Sequence, residues 1–135
     1  MNIVGDIGNT ETQICLVNSK DIIIKRVTLM TKKMNFSSLK KSLSSLSLKK
    51  RSIDKCLFCS VVPKSFNEIK IFFNKTHNIK CQELKKLKLN KFINIKVNYK
   101  QIGSDRLANA ISVINNKDNF IILDFGTATT FDVLI

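Results

Sequence analysis

Apolar and polar positions alternate or cluster along this chain in a way that predicts nearly every element before any chemistry is considered. Residues 2–6, 12–18 and 21–29 read as three strands, joined by a short Asp-Gly loop and by a tight turn at Asn18-Ser19-Lys20-Asp21, which makes an antiparallel meander. From Asn35 to about Lys49, Phe36, Leu39, Leu43, Leu46 and Leu48 recur near helical spacing among serines and lysines, the pattern of one amphipathic helix. Lys55 to Val62 is a short continuous apolar strand. Just after Pro63, Ser65-Phe66-Asn67-Glu68 fits a capping box opening a helix that carries Phe66, Ile69, Phe72 and Phe73. The alternation of strand and helix from here indicates parallel pairing. Ile93, Ile95 and Val97 alternate as a strand behind a lysine-rich stretch expected to be an exposed loop. Gly103-Ser104 opens a further helix through Asn115, with Ser104 as N-cap and Leu107, Ile111 and Ile114 on one face. Phe120 to Asp124 and Thr130 to Ile135 are two more strands. The expected class is α/β: a domain over residues 1–117, then an opening hairpin of a second domain over 118–135 that exposes Phe131, Val133 and Ile135.

Length, at 135 residues, allows one real core and is short for two complete domains. No apolar run approaches the roughly 20 residues of a membrane helix, and Met1-Asn2-Ile3-Val4-Gly5-Asp6 has neither the basic region nor the apolar core of a signal peptide. A soluble, cytoplasmic protein is expected. Among the cysteines, Cys56 and Cys59 have the two-residue gap of zinc and redox sites, yet Leu57, Phe58, Val61 and Val62 make the segment a buried strand. No second pair lies at finger spacing, so reduced core thiols are expected at Cys15, Cys56, Cys59 and Cys81. His77, the one histidine, is expected to be solvated. The net charge of +13 would suit a polyanion, but the excess is scattered lysine and no strip interleaves aromatic with basic residues. Nucleic acid and membrane are therefore not expected partners, and attraction of a small anionic substrate is the better use of that charge.

Chemistry concentrates in three places. Asp6-Ile7-Gly8-Asn9-Thr10 and Asp124-Phe125-Gly126-Thr127-Ala128-Thr129-Thr130 each follow an apolar strand and share a logic: a carboxylate at the strand end, a glycine that lets backbone approach an anion, then amides and hydroxyls. In the first loop Gly8, Asn9 and Thr10 can supply phosphate donors and Asp6 can hold Mg²⁺ directly or through water. In the second, Asp124 with Gly126, Thr127 and Thr130 suits a cation and phosphate oxygens. A plain β-turn is the bland alternative for either loop alone. The third is Gly103-Ser104-Asp105-Arg106 at a helix start, where free amides favour anions. Asp105 there is a candidate general base and Arg106 a candidate clamp for a carboxylate or phosphate; the bland reading is an Asp complementing the helix dipole beside a surface Arg.

Taken in order, Asp6-Ile7-Gly8-Asn9-Thr10, Ser60-Val61-Val62-Pro63, Gly103-Ser104-Asp105-Arg106-Leu107-Ala108-Asn109-Ala110 and Asp124-Phe125-Gly126-Thr127-Ala128-Thr129-Thr130 resemble the type III pantothenate kinases of the acetate kinase, sugar kinase, Hsp70 and actin superfamily. The resemblance implies two ribonuclease-H-like domains around a nucleotide cleft, a homodimer, and ATP-dependent phosphorylation of pantothenate, the first step toward coenzyme A. It implies that Asp6, Ile7, Gly8, Asn9, Thr10, Glu11, Thr12 and Gln13 form a phosphate loop with Thr127 contacting ATP. It further implies that Gly103, Ser104, Asp105 and Arg106 line the pantothenate site with Asp105 as base, and that Asp124 holds a monovalent cation, K⁺ or NH₄⁺. Ahead of the Gly-x-Asp-Arg motif, Asn98 fits the family pattern, but Tyr99 stands where a Pro is usual and Lys96 where a substrate-contacting Tyr is expected. Family members run to about twice this length, so the chain corresponds to an N-terminal half. A non-catalytic relative that binds nucleotide or a partner is the competing reading.

Overall fold

The computed structural model describes residues 1–48, 52–115 and 117–135. Strands β1 (Asn2–Ile7), β2 (Glu11–Val17) and β3 (Ile23–Met30) form the expected antiparallel meander. Strand β4 (Lys55–Ser60) then pairs parallel to β1, and a two-residue β5 (Gln82–Glu83) pairs parallel to β4. The five-stranded mixed sheet has the order β3-β2-β1-β4-β5, so the chain leaves β1 toward one edge and returns to its other side.

Strand alternation divides the sheet into two faces. Ile3 and Ile7 of β1, Ile14 and Leu16 of β2, and Cys56 and Phe58 of β4 bury against Leu39 and Leu43 of helix α1 (Phe36–Leu43) and Ile69, Phe72 and Phe73 of helix α2 (Pro63–His77). Each such side chain taken fully out of water contributes about 1.5–3 kcal/mol, which makes this face the main source of stability. On the opposite face, Leu57 and Cys59 meet Leu107, Ala108 and Ile111 of helix α3 (Ser104–Val113), together with Leu84 and Leu89. Gly5 lies on the same face as Ile3 and Ile7 and is a glycine for a steric reason: a Cβ there would lie 2.2 Å from the Phe58 ring, its register partner on β4.

Several boundaries differ from the sequence expectation. The first helix is shorter, running into a 3-10 turn at Ser44–Leu46; Lys49, where it was expected to end, lies outside the described residues. Its N-terminus is a capping box made by Asn35, whose side chain accepts from the Ser38 amide while the Ser38 hydroxyl accepts from the Asn35 amide, each at 2.9 Å. The box expected at Ser65 does not form. Pro63 itself is the first helical residue, and its fixed φ with no N–H to satisfy sets the start two residues earlier. Ser104 is likewise not the N-cap: Gly103 is, and Ser104 is the first residue of α3. No strand forms at Ile93, Ile95 and Val97. Instead the lysine-rich stretch folds into 3-10 turns at Leu84–Lys86 and Leu89–Lys91 whose leading leucines are buried under α3.

Strands β6 (Phe120–Phe125) and β7 (Thr129–Leu134) form a separate antiparallel hairpin. One face of it turns toward α3. The other carries Phe131 and Val133, which with Ile135 are exposed as expected, and also Ile121 and Phe125, all more than 60% exposed.

Candidate active site at the carboxyl ends of β1 and β4

Parallel pairing of β1 with β4 puts Asp6 opposite Cys59 at the strand ends, on the face that α3 covers. The Cys59 thiol donates to Asp6 Oδ1 at 3.2 Å. This is the side of an open sheet where strand order reverses and where α/β proteins leave a crevice for ligands. The loop after β1 turns tightly, the Gly8 amide donating to the Glu11 carbonyl at 3.0 Å. Thr31, the first residue after β3, braces it. Its hydroxyl donates to the Gly8 carbonyl at 2.8 Å, its amide donates to the Thr10 carbonyl at 2.9 Å, and its hydroxyl lies 2.9 Å from that of Thr12. Of the expected phosphate-loop residues, Gly8, Asn9, Thr10 and Glu11 are accessible and Gln13 is half-buried. Ile7 and Thr12 point into the core, so neither side chain faces the crevice.

Helix α3 enters from the other side. Gly103 has φ −65° and ψ 149°, and with no Cβ it leaves room for the carboxylate of Asp105, which folds back over it and accepts from the Arg106 amide at 2.8 Å. Ser104 is fully buried, its hydroxyl donating to Glu83 Oε1 at 2.5 Å, which ties the start of α3 to β5. The Arg106 guanidinium is committed to β7: Nε donates to both carboxylate oxygens of Asp132, and Nη2 to Asp132 and to the Phe131 carbonyl.

The hairpin closes the third side. Asp124 Oδ2 accepts from Asn109 Nδ2 at 3.1 Å, and the hydroxyl of Thr127 lies 3.3 Å from that of Thr10, joining the two glycine loops across 117 positions of sequence. Asp105 and Asp124 lie near enough for their charges to act on Asp6. Burial holds the Asp6 carboxyl above its ordinary value, and the charges of Asp105 and Asp124 push it further, against the lowering effect of the Cys59 hydrogen bond. Burial, then the Asp6 carboxylate, pushes the Cys59 thiol up, so it stays protonated and remains a donor. Among the described residues, no lysine or arginine forms an ion pair with Asp6, Asp105 or Asp124, although the Arg106 guanidinium feels the charge of Asp105. Nor do three or more acidic, cysteine or histidine groups among the described residues gather closely enough to cage an ion. Cys56 and Cys81 are a buried pair of free thiols with sulfurs 3.1 Å apart, and Cys15 is a free buried thiol, as expected.

A family model described as type III pantothenate kinase matches residues 2–135. The chain belongs to the type III pantothenate kinase family. It is 81% identical over 135 residues to a type III pantothenate kinase of Pelagibacter ubique, an alignment covering all of this chain and 54% of that protein. It is 34% identical to one of Thermosipho melanesiensis, over 99% of this chain and 54% of that kinase, and 29% identical to one of Akkermansia muciniphila, over 96% and 50%. The chain thus spans about half the length of the curated relatives it matches. Among the described residues no helix is long and apolar enough to cross a membrane.

Cys59 and Thr31 were missed as site residues. The first carried a signal, since parallel pairing of β1 with β4 puts it beside Asp6; the second carried none, because its role depends on where β3 ends relative to a loop 23 residues earlier.

Proposed function

We propose that this chain supplies the phosphate-loop and base-bearing part of an enzyme that phosphorylates pantothenate with ATP to give 4'-phosphopantothenate. The observation that carries the reading is the convergence of Asp6, Asp105 and Asp124 on one crevice, with Thr10 and Thr127 bridging the two loops. Phosphoryl transfer asks mainly for positioning and charge neutralisation, and this crevice offers amides and hydroxyls for phosphate oxygens from both sides. Gly8, Asn9, Thr10 and Thr127 bind and orient the triphosphate. Asp105, freed by Gly103 to face the crevice, accepts the proton of the pantothenate primary hydroxyl as its oxygen attacks the γ-phosphorus and ADP leaves. Cys59 holds the Asp6 carboxylate in place through its S–H.

The Asp6 carboxylate, at the end of β1 and paired with no lysine or arginine among the described residues, fits Mg²⁺ held directly or through water. Bound at Asp6, Mg²⁺ would neutralise charge on the β- and γ-phosphates. Asp124, oriented by Asn109, would hold the monovalent cation, K⁺ or NH₄⁺. On the same reading, residues 1–117 form a ribonuclease-H-like domain, 118–135 begin a second, the protein is a cytoplasmic homodimer, and pantothenate binds beside Gly103 and Asp105, the buried Ser104 hydroxyl being held by Glu83.

The test is ATP-dependent phosphorylation of labelled pantothenate by the chain completed to the length of its relatives. Asp105→Asn is expected to lower kcat by about 10²–10⁴ with ATP affinity little changed. A folded, completed protein without turnover, or normal turnover in Asp105→Asn, would end the proposal.

A further inference from the structure

The side chain expected to clamp substrate is held by the hairpin through its Nε and Nη2. Arg106 Nε lies 2.9 and 3.0 Å from the two oxygens of Asp132, and Nη2 lies 3.0 Å from the Phe131 carbonyl besides contacting Asp132. Asp132 is only 13% exposed and sits on the face of β7 that turns toward α3. A second link runs in parallel. Asn109, one helical turn beyond Arg106, donates to Asp124, which belongs to the same face of the hairpin. In the hairpin register Asp124 faces Thr130, two positions before Asp132, so the two carboxylates are diagonal neighbours meeting two side chains on one stripe of the helix. Two such links fix both distance and angle between helix and hairpin, where one would leave a hinge.

We infer that Arg106 and Asp132 form a strut setting the separation of Asp105 on α3 from Asp124 on β6, and that Arg106 acts in this chain as a positioning residue. A bidentate guanidinium–carboxylate pair suits that task because its planar fork fixes orientation as well as distance, which a lysine cannot do. Neutralised by Asp132, the guanidinium offers little net charge to a substrate anion. Asp132 itself touches none of the three converging carboxylates, so its effect on the reaction would pass through geometry alone. This inference rests on the kinase reading for its kinetic consequences and on the ion pair alone for its structural ones.

The experiment uses the chain completed to the length of its relatives and compares Asp132→Asn, Arg106→Lys, the double variant and Asp132→Glu. Hydrogen exchange is expected to quicken on the order of tenfold at β6 and β7 amides in Asp132→Asn while β1 and β2 amides are unchanged. In the kinase assay each single variant is expected to lower kcat by roughly tenfold with pantothenate KM nearly constant, the double to be no worse than either single, and Asp132→Glu to recover most of the rate. Unchanged hairpin exchange in Asp132→Asn would overturn the strut. So would a raised pantothenate KM in Arg106→Lys beside a silent Asp132→Asn, which is the signature of a substrate clamp. If the unaltered protein does not phosphorylate pantothenate, the kinase reading fails and hydrogen exchange alone decides the strut.

Discussion

Replacing Gly103 with alanine separates the placement of Asp105 from the stability of the fold. The glycine lies at φ −65° and ψ 149°, a conformation open to any L-residue, so alanine introduces no backbone strain. Its Cβ would lie 2.2 Å from Asp105 Oδ1 and 3.5 Å from Val61 Cγ1. The second distance is an ordinary contact. The first cannot persist, and because it involves the tip of a rotatable side chain, the carboxylate retreats by about 1 Å and backbone stays in place; a misplacement of that size costs on the order of 10²-fold in rate, or about 2.7 kcal/mol of barrier. Stability should barely change. Reduced freedom of the unfolded chain gains about 0.4–1 kcal/mol, and the strained Asp105 bond to the Arg106 amide loses about 0.5–1.5 kcal/mol, so the two nearly cancel. Thermal unfolding and a coupled ADP-release assay on the completed protein read both quantities. The expected result is a melting temperature within about 5 °C of the parent, kcat lowered on the order of a hundredfold, and no further loss when Gly103→Ala is added to Asp105→Asn. Full activity in Gly103→Ala beside a crippled Asp105→Asn would show that the carboxylate does not work from the position over Gly103.

Other outcomes follow from the same geometry. The folded-state pKa of Asp6 is raised, so its ionisation opposes folding: the penalty is absent below the ordinary carboxylate value and grows as pH rises through the folded one. Asp6→Asn should therefore gain stability over the parent at pH 7 relative to about pH 3.5 in urea titrations while losing nucleotide binding; a gap that shrinks with rising pH would contradict the raised Asp6 carboxyl that burial and the neighbouring charges produce. Gly5→Ala should destabilise the sheet by about 1–3 kcal/mol, because its Cβ meets the Phe58 ring on one side and the Gln13 carbonyl at 2.9 Å on the other; an unchanged urea midpoint would mean that Phe58 repacks freely. Ser104→Ala should cost about 1.5–3 kcal/mol through loss of the Glu83 bond, and a change below about 0.5 kcal/mol in the same titration would show that this tie contributes little.

Elements whose residues bury one periodic face were legible, and those defined by a partner were not. The meander, β4 and both long helices follow from alternation or helical spacing of Ile3, Ile7, Ile14, Leu16, Phe58, Ile69 and Phe73, all of which are buried. Ile93, Ile95 and Val97 alternate just as well, yet β5 already occupies that edge with two residues, and Leu84 and Leu89 are the side chains that dock. Competition between neighbours, rather than propensity, decided that segment. The capping box at Ser65 lost to Pro63 by the same kind of local contest. In the crevice, Asp6, Asp105 and Asp124 were visible as strand-end and helix-start carboxylates, and the structure brings them together. The commitment of Arg106 to Asp132 was not visible, because it depends on the angle at which a hairpin meets a helix 26 residues earlier.

The most direct test of shared occupancy is a crystal structure of the completed protein with Mg²⁺, a non-hydrolysable ATP analogue and pantothenate. The triphosphate should contact the Gly8–Thr10 loop and Thr127 together, with the pantothenate primary hydroxyl within about 2.6–3.2 Å of Asp105. A triphosphate held by one loop alone, or a hydroxyl turned away from Asp105, would contradict it.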